Sequence, residues 1–266
     1  MYKKYWEFSD KPFQNTPDPK YLYRSEQHEE ALARMLYVVR EHMGCVVLSG
    51  VFGCGKTLLL NTLEEELAGT RYRVARLNNP QLDSSGILQS LLYRLGVKGR
   101  LPSSKAGVLN RLDRIIEDNF RDGRETIVMV DEAHVIEELE VFEELRMMLN
   151  WQKNDRPLVT LILCGQPELY DKVSNIKQLA QRVSIKASLA PFAKEDTKRY
   201  INHRLKVAGR ELPAFSEQAY NEIFSASGGI PRRINSICDL SLLSGYMKGR
   251  RYVGEELVRD AAGDLI

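Results

Sequence analysis

Residues 50–57 read Gly50-Val51-Phe52-Gly53-Cys54-Gly55-Lys56-Thr57: a glycine, four residues, then Gly-Lys-Thr. This is the P-loop pattern, and it dictates much of the fold around it. A strand must deliver the chain and a helix must carry it away. The glycines then let backbone N–H groups turn toward a polyanion, and the positive end of the helix faces the same point. Both neighbours are present. Cys45-Val46-Val47-Leu48 reads as a short buried strand, and Leu58-Leu59-Leu60 opens a helical spacing that continues through Leu63 and Leu67. That context separates the pattern from a glycine-rich turn that matches by accident. The expected ligand is a nucleoside triphosphate, ATP, held along the stretch from Gly50 to Leu58. Lys56 would reach its β- and γ-phosphates and the Thr57 hydroxyl would bind Mg²⁺.

The rest of the chain alternates strands and helices. Ser25 looks like an N-cap, and Ala31, Leu32, Met35, Leu36 and Val39 follow at helical spacing toward Gly44. Beyond the P-loop helix, Tyr72 to Leu77 alternates as a strand. Ile87, Leu88, Leu91, Leu92 and Leu95 mark a helix closed by Gly96, and a basic linker runs from Lys98 to Lys105. Val108 to Ile116 is a further helix, stopping near Gly123. Thr126-Ile127-Val128-Met129-Val130 is a strand covered on both faces. Val135 to Trp151 is expected to be helical, Leu158 to Cys164 a buried strand, and Val183 to Leu189 the last strand. From Pro191 onward the strand signal ends, and helices are expected over Lys194–Ala208, Ser216–Ser225, Pro231–Met247 and Glu255–Ala262. The predicted fold class is therefore α/β, a five-stranded parallel sheet followed by a small all-helical lid. The expected domains are 1–190 and 191–266. Before all of this, Tyr2 to Tyr23 is rich in aromatics and prolines, and the prolines predict an extended arm.

Composition narrows the function classes. With 43% apolar and 28% charged residues, the chain has the balance of a soluble globular protein. A net charge of +2 argues neither for nor against nucleic acid. The four cysteines lie far apart without metal-ligand spacing, which favours buried thiols in a reducing compartment. The longest apolar runs fall far short of the ~18 residues of a membrane span, and no apolar signal core follows Lys3-Lys4. A cytoplasmic location is expected.

Asp131-Glu132 follows the run Ile127 to Val130, at the carboxyl end of a central strand. A carboxylate there can hold Mg²⁺ through its waters, and a neighbouring glutamate can polarise the attacking water. Asp131 is the metal-side candidate and Glu132 the candidate general base. An acidic turn that caps a helix is the plainer alternative. The tetrad Asp131-Glu132-Ala133-His134 also spells a helicase box, yet such helicases need two full nucleotide domains and this chain has room for one. His134 is either structural or a relay to the γ-phosphate.

The order of parts resembles an AAA+ ATPase, and more closely the ExeA-type (general secretion pathway A) branch. The resemblance covers nearly the whole chain. It rests on Met1-Tyr2 through Pro12-Phe13, on Thr16-Pro17-Asp18-Pro19 and Leu22-Tyr23, and on the spaced set Ser25, His28, Glu29, Ala31 and Leu32. It rests further on Gly165-Gln166-Pro167-Glu168-Leu169, Gln181-Arg182 and Gly228-Gly229-Ile230-Pro231-Arg232-Arg233-Ile234-Asn235. The resemblance implies that Gln166 is the sensor of the γ-phosphate or attacking water, against a turn residue before Pro167. It implies that Arg182 is an arginine finger reaching a neighbouring subunit's nucleotide, against a surface arginine. Arg232, with Arg233 as rival, would be the second sensor, in the first turn of a helix begun by Pro231. The arm and the helix around His28 would pack near the base, or the aromatics would staple the arm to the core. Cys54 departs from the pattern, since a small hydroxyl residue or alanine is more usual there. Its thiol suggests that oxidation or alkylation would block nucleotide binding.

Such an ATPase would act as a homo-oligomer, a ring or filament, in which Arg182 of one subunit completes the site of another. Two jobs are implied: an assembly switch for secretion or cell-envelope machinery, or a regulator of DNA transposition that coats double-stranded DNA and recruits a transposase. The basic clusters Arg71-Arg73-Arg76, Lys98-Arg100-Lys105 and Lys248-Arg250-Arg251 would serve the second, unless they are solvated faces. The envelope proteins of this branch carry a membrane span and a peptidoglycan-binding region beyond the ATPase part, which weakens the first job for a chain that shows neither, and basic patches on a compact chain fit the second at least as well. A nucleotide-binding scaffold with little turnover is a third reading, against which the intact Glu132 argues.

Overall fold

Buried apolar strands pair side by side when crossover helices can cover both faces, and the sheet here follows that rule. The computed structural model describes residues 2–265. In chain order the elements are α1 (Glu26–Arg40), β1 (Cys45–Gly50), α2 (Lys56–Leu67), β2 (Tyr72–Leu77), α3 (Ser84–Arg94), α4 (Lys105–Arg121) and β3 (Glu125–Val130). They continue as α5 (Leu139–Met148), the short pair β4 (Gln152–Lys153) and β5 (Arg156–Pro157), β6 (Val159–Gly165), α6 (Glu168–Asn175), α7 (Lys177–Ala180) and β7 (Val183–Leu189). The last four are α8 (Lys194–Val207), α9 (Glu217–Ser227), α10 (Pro231–Met247) and α11 (Glu255–Gly263).

The chain forms two compact units: Met1–His28, Val51–Asn61 and Ala190–Ile266 make one, Glu29–Gly50 and Thr62–Leu189 the other. This grouping differs from a division at residue 190 in two segments. The arm and the loop after β1 pack with the C-terminal helices.

In the second unit, five strands pair in the order β2-β3-β6-β1-β7, all parallel. β1 and β6 are buried along their whole length. The register brings Leu77 opposite Val130, Val130 opposite Leu163, Ser49 opposite Gly165 and Gly50 opposite Leu189. The carboxyl ends of all five strands therefore lie on one side of the sheet, with β2 and β3 stopping level with Val47 of β1, three residues before Gly50. A side chain on Gly50 would meet the Leu189 carbonyl oxygen at 2.5 Å, so only glycine fits where β1 ends. One core binds this unit together, with Leu88, Leu91, Leu112, Val128, Leu145 and Leu161 among its fully or almost fully buried members.

The first unit has its own core, and the arm supplies much of it. Tyr2, Trp6, Phe8 and Phe13 are buried among Ile201, Ile223, Ile237 and Leu242. The Trp6 indole N–H donates to the Leu242 carbonyl at 2.9 Å. A Cβ on Gly245 would lie 2.9 Å from the Trp6 ring, which explains a glycine within α10 despite its helix cost. Arg204, 3% exposed, donates to the carbonyls of Pro12 and Gln14 and to the Tyr200 hydroxyl. The arm is a series of turns with a short 3₁₀ segment at Pro19–Tyr21, rather than an extended strap. The aromatics dictate this course by facing one core.

A second expectation also changes. Val135 to Trp151 is not one helix. A 3₁₀ turn at Ala133–Val135 is followed by a break before α5. The carbonyls of His134 and Ile136 accept from the Lys172 ammonium of α6, so they point away from a helical ladder. After α5, β4 and β5 form a small antiparallel pair with no signal in the sequence.

Candidate active site

The candidate residues fall in both units. In the first, the loop Val51–Gly55 leads into α2. Gly53 has φ +86° and Gly55 φ +96°, a region that side-chain-bearing residues rarely adopt. A Cβ on Gly53 would lie 2.9 Å from the Arg232 Cβ. Cys54 N–H donates to the Val51 carbonyl at 3.3 Å, and the Lys56 ammonium donates to the same carbonyl at 3.2 Å. Leu59 N–H donates to the Gly55 carbonyl and starts the α2 ladder. Lys56 is 5% exposed, close enough to the backbone to lie along the loop.

The start of α10 meets this loop. Gly229, at φ +74°, admits no side chain because a Cβ would fall 2.0 Å from the Phe192 carbonyl oxygen. Pro231 then opens the helix, and Arg232 N–H donates to the Gly53 carbonyl at 3.2 Å. The Arg232 guanidinium lies over the Phe52 ring, 4.9 Å from its centroid. Arg232 and Arg233 both line a cavity of about 470 Å³ with Val51, Phe52, Ile230 and Ile237. Of the two rivals, Arg232 is the one bonded to the loop.

Cys54 is fully buried, and burial pushes its thiol up to about 11 against a smaller opposing pull from Lys56. The thiolate is the reactive form, so the native Cys54 thiol should react slowly. All four cysteines are buried. In native protein near neutral pH, iodoacetamide should leave all four unmodified under conditions that label the denatured chain. Intact mass spectrometry reads this directly, and a rapid Cys54 adduct would contradict it.

The second unit holds the other candidates on its carboxyl edge. Asp131 follows β3, is 3% exposed, and is fixed by its N–H donating to the Leu77 carbonyl. Its carboxylate accepts from Arg76 at 2.9 Å and from the Glu132 N–H at 3.0 Å. Arg76 thus serves as counter-charge to Asp131. In the sequence Arg76 belongs to a basic cluster, although its seat near the carboxyl end of a strand is a usable signal. Glu132 adopts φ +54°, a left-handed conformation that is uncommon for a non-glycine residue and typical of functional turns. Its carboxylate lies 3.3 Å from His134 Nδ1. His134 Nε2 lies 2.9 Å from the side-chain amide nitrogen of Gln166, directly after β6. A Cβ on Gly165 would crowd His134 Nδ1 at 3.2 Å, so the glycine before Gln166 makes room for the ring. His134 therefore stands between Glu132 and Gln166, and Lys172 clamps the backbone of that turn. Lys172 had no sequence signal.

Arg182 does not join this group. It precedes β7, at the opposite edge of the sheet from Gln166, and its guanidinium donates to the Asn150 side chain at 3.0 Å.

This sheet order, with its polar carboxyl edge and glycine-lined loop after β1, defines the P-loop ATPase class. The chain belongs to the AAA domain family, whose model matches residues 39–173. It is 36% identical over 256 residues to General secretion pathway protein A of Aeromonas hydrophila, covering 94% of this chain and 46% of that protein. The chain thus spans about half the length of that relative. Among solved structures, the ORC2 protein of Aeropyrum pernix in its ADPNP–ADP complexes superposes with a TM-score of 0.76 at 18% identity, covering 97% of this chain and 72% of that one. Cdc6p of Pyrobaculum aerophilum superposes with a TM-score of 0.78 at 17% identity, covering 96% and 70%. At these identities the likeness is one of fold. No described helix is long and apolar enough to cross a membrane.

Proposed function

We propose that this chain binds ATP with Mg²⁺, hydrolyses it, and works as an oligomeric switch in the assembly of secretion or cell-envelope machinery. The observation that supports the chemistry is the carboxyl side of the sheet, where Asp131 and Glu132 follow β3 and Gln166 follows β6, in a chain whose glycine loop follows directly on β1. Left-handed Gly53 and Gly55 and the start of a 12-residue helix suit a polyphosphate. Lys56 neutralises the terminal phosphates. One hydroxyl, Thr57, and one carboxylate, Asp131, are the hard oxygen donors that Mg²⁺ takes while keeping its waters. When bound, Mg²⁺ would neutralise charge between the β- and γ-phosphates. Glu132 accepts the proton of the attacking water, Gln166 orients that water or the γ-phosphate, Arg232 answers from the helical lid, and Arg182 acts on a neighbour. The assembly role rests on the extent of likeness to the Aeromonas protein.

The transposition reading loses part of its basis. Arg71 pairs with Glu125 at 2.8 Å, Arg76 with Asp131, and Lys105 with both Glu140 and Glu144 at 2.6 Å. These cations already have carboxylates beside them, which leaves less charge for a phosphate backbone.

The test is a titration of purified protein with a fluorescent ATP analogue, alongside phosphate release with Mg²⁺. The wild type should bind and turn over. Lys56→Ala should weaken binding by ~10-fold or more, since a charge-assisted contact to phosphate is lost. Absence of wild-type binding would overturn the reading. In the same assay, double-stranded DNA should cause no analogue-dependent shift at low salt, where phosphate contacts are strongest. A steep salt-dependent shift would return the weight to transposition.

A further inference from the structure

The loop carbonyl that precedes Gly55 is held from outside by a histidine. His28 is 3% exposed and Ser25 4% exposed. His28 Nδ1 lies 2.7 Å from the Ser25 hydroxyl, and Nε2 lies 3.2 Å from the Cys54 carbonyl oxygen. A carbonyl only accepts, so Nε2 must carry the proton. Nδ1 of the neutral ring must then accept, and the Ser25 hydroxyl donates to it. Burial keeps the ring below its ordinary pKa, consistent with that neutral form. The ring is packed 5.4 Å from Phe192, which fixes its plane. All of these residues belong to the first compact unit.

The consequence follows from peptide geometry. The structure has no cis peptide bond among the described residues, and in a trans peptide the C=O and the next N–H point in opposite directions. With the Cys54 carbonyl drawn to His28, the Gly55 N–H is aimed to the far side of the peptide plane. Gly55 can follow because φ +96° is open to glycine, and a Cβ there would crowd His28 Nε2 at 3.3 Å. The preceding carbonyl, that of Gly53, is held in the same manner by Arg232 N–H.

We propose that His28 is a positioning residue for phosphate binding: by holding the Cys54 carbonyl through Nε2–H, it presents the Gly55 N–H to the phosphates. This rests on the nucleotide-binding reading above. His28 touches no phosphate itself. Its contribution is to remove the alternative orientation of one peptide before the ligand arrives, so that less freedom is lost on binding.

The test compares His28→Gln, whose amide N–H can still donate to Cys54, with His28→Leu, of similar bulk and no donor. Binding of the fluorescent ATP analogue is measured, with inorganic tripolyphosphate as a competitor that lacks a base. His28→Leu should weaken both ligands by ~10-fold, the scale of one oriented hydrogen bond to a charged group. His28→Gln should recover most of that loss, and thermal midpoints should show the two variants equally folded. Should His28→Leu fail to fold, Ser25→Ala, which frees the ring to take the other tautomer, should weaken tripolyphosphate in the same direction. Equal affinity of wild type and His28→Leu for tripolyphosphate would overturn the proposal while leaving nucleotide binding intact. A wild type that binds neither ligand would instead remove the nucleotide reading on which it stands.

Discussion

Glu132→Gln should retain ATP affinity and lose phosphate release by ~10²–10⁴-fold, the usual contribution of a general base. Glutamine has the size of glutamate and can keep its place beside His134, but it cannot take a proton from water. The structure makes this substitution unusually clean. Glu132 sits in a left-handed turn that Gln tolerates as well as Glu, and its side chain is 35% exposed, so no buried charge is removed. The neighbouring Asp131 keeps its bond to Arg76 and its place after β3. Binding of the ATP analogue and the rate of phosphate release separate the two effects. An unchanged rate would sink the assignment, and His134, 3.3 Å away, would become the group to test next.

Arg182→Ala should lower turnover by ~10³-fold, the lower end of what an arginine finger supplies, with little change in nucleotide affinity. The argument is one of distance. β7 runs parallel to β1, with Val183 level with Cys45 and Leu189 level with Gly50. Arg182 therefore stands about 20 Å, six residues at ~3.3 Å each, from the edge that carries Glu132 and Gln166. No side chain spans that gap, so any contribution of Arg182 to catalysis would have to come from another subunit. Mixing Arg182→Ala protein with Lys56→Ala protein should then restore measurable turnover, because each supplies what the other lacks. Full turnover by a monomer at high dilution would remove the finger role and leave Arg182 as the partner of Asn150.

What the sequence determined by itself was contiguous. The glycine loop, the strand before it and the helix after it lie within some twenty residues, and Asp131-Glu132 follows directly on a continuous apolar run. Such signals need only the local rules of strand, turn and helix, so the order of elements and the all-parallel sheet could be read along the chain. Tertiary structure decided which distant groups meet. Arg76 reaches Asp131 across 55 residues, Gln166 reaches His134 across 32, and His28 reaches Cys54 across 26. The arm was legible as proline-broken but not as the centre of a helical core, where Trp6 bonds Leu242 across 236 residues. Strand register and the closure of long loops set these contacts, and neither leaves a periodicity in the chain. The same cause broke the expected helix after Val135, because the carbonyls of His134 and Ile136 find the Lys172 ammonium instead of a fourth-neighbour N–H.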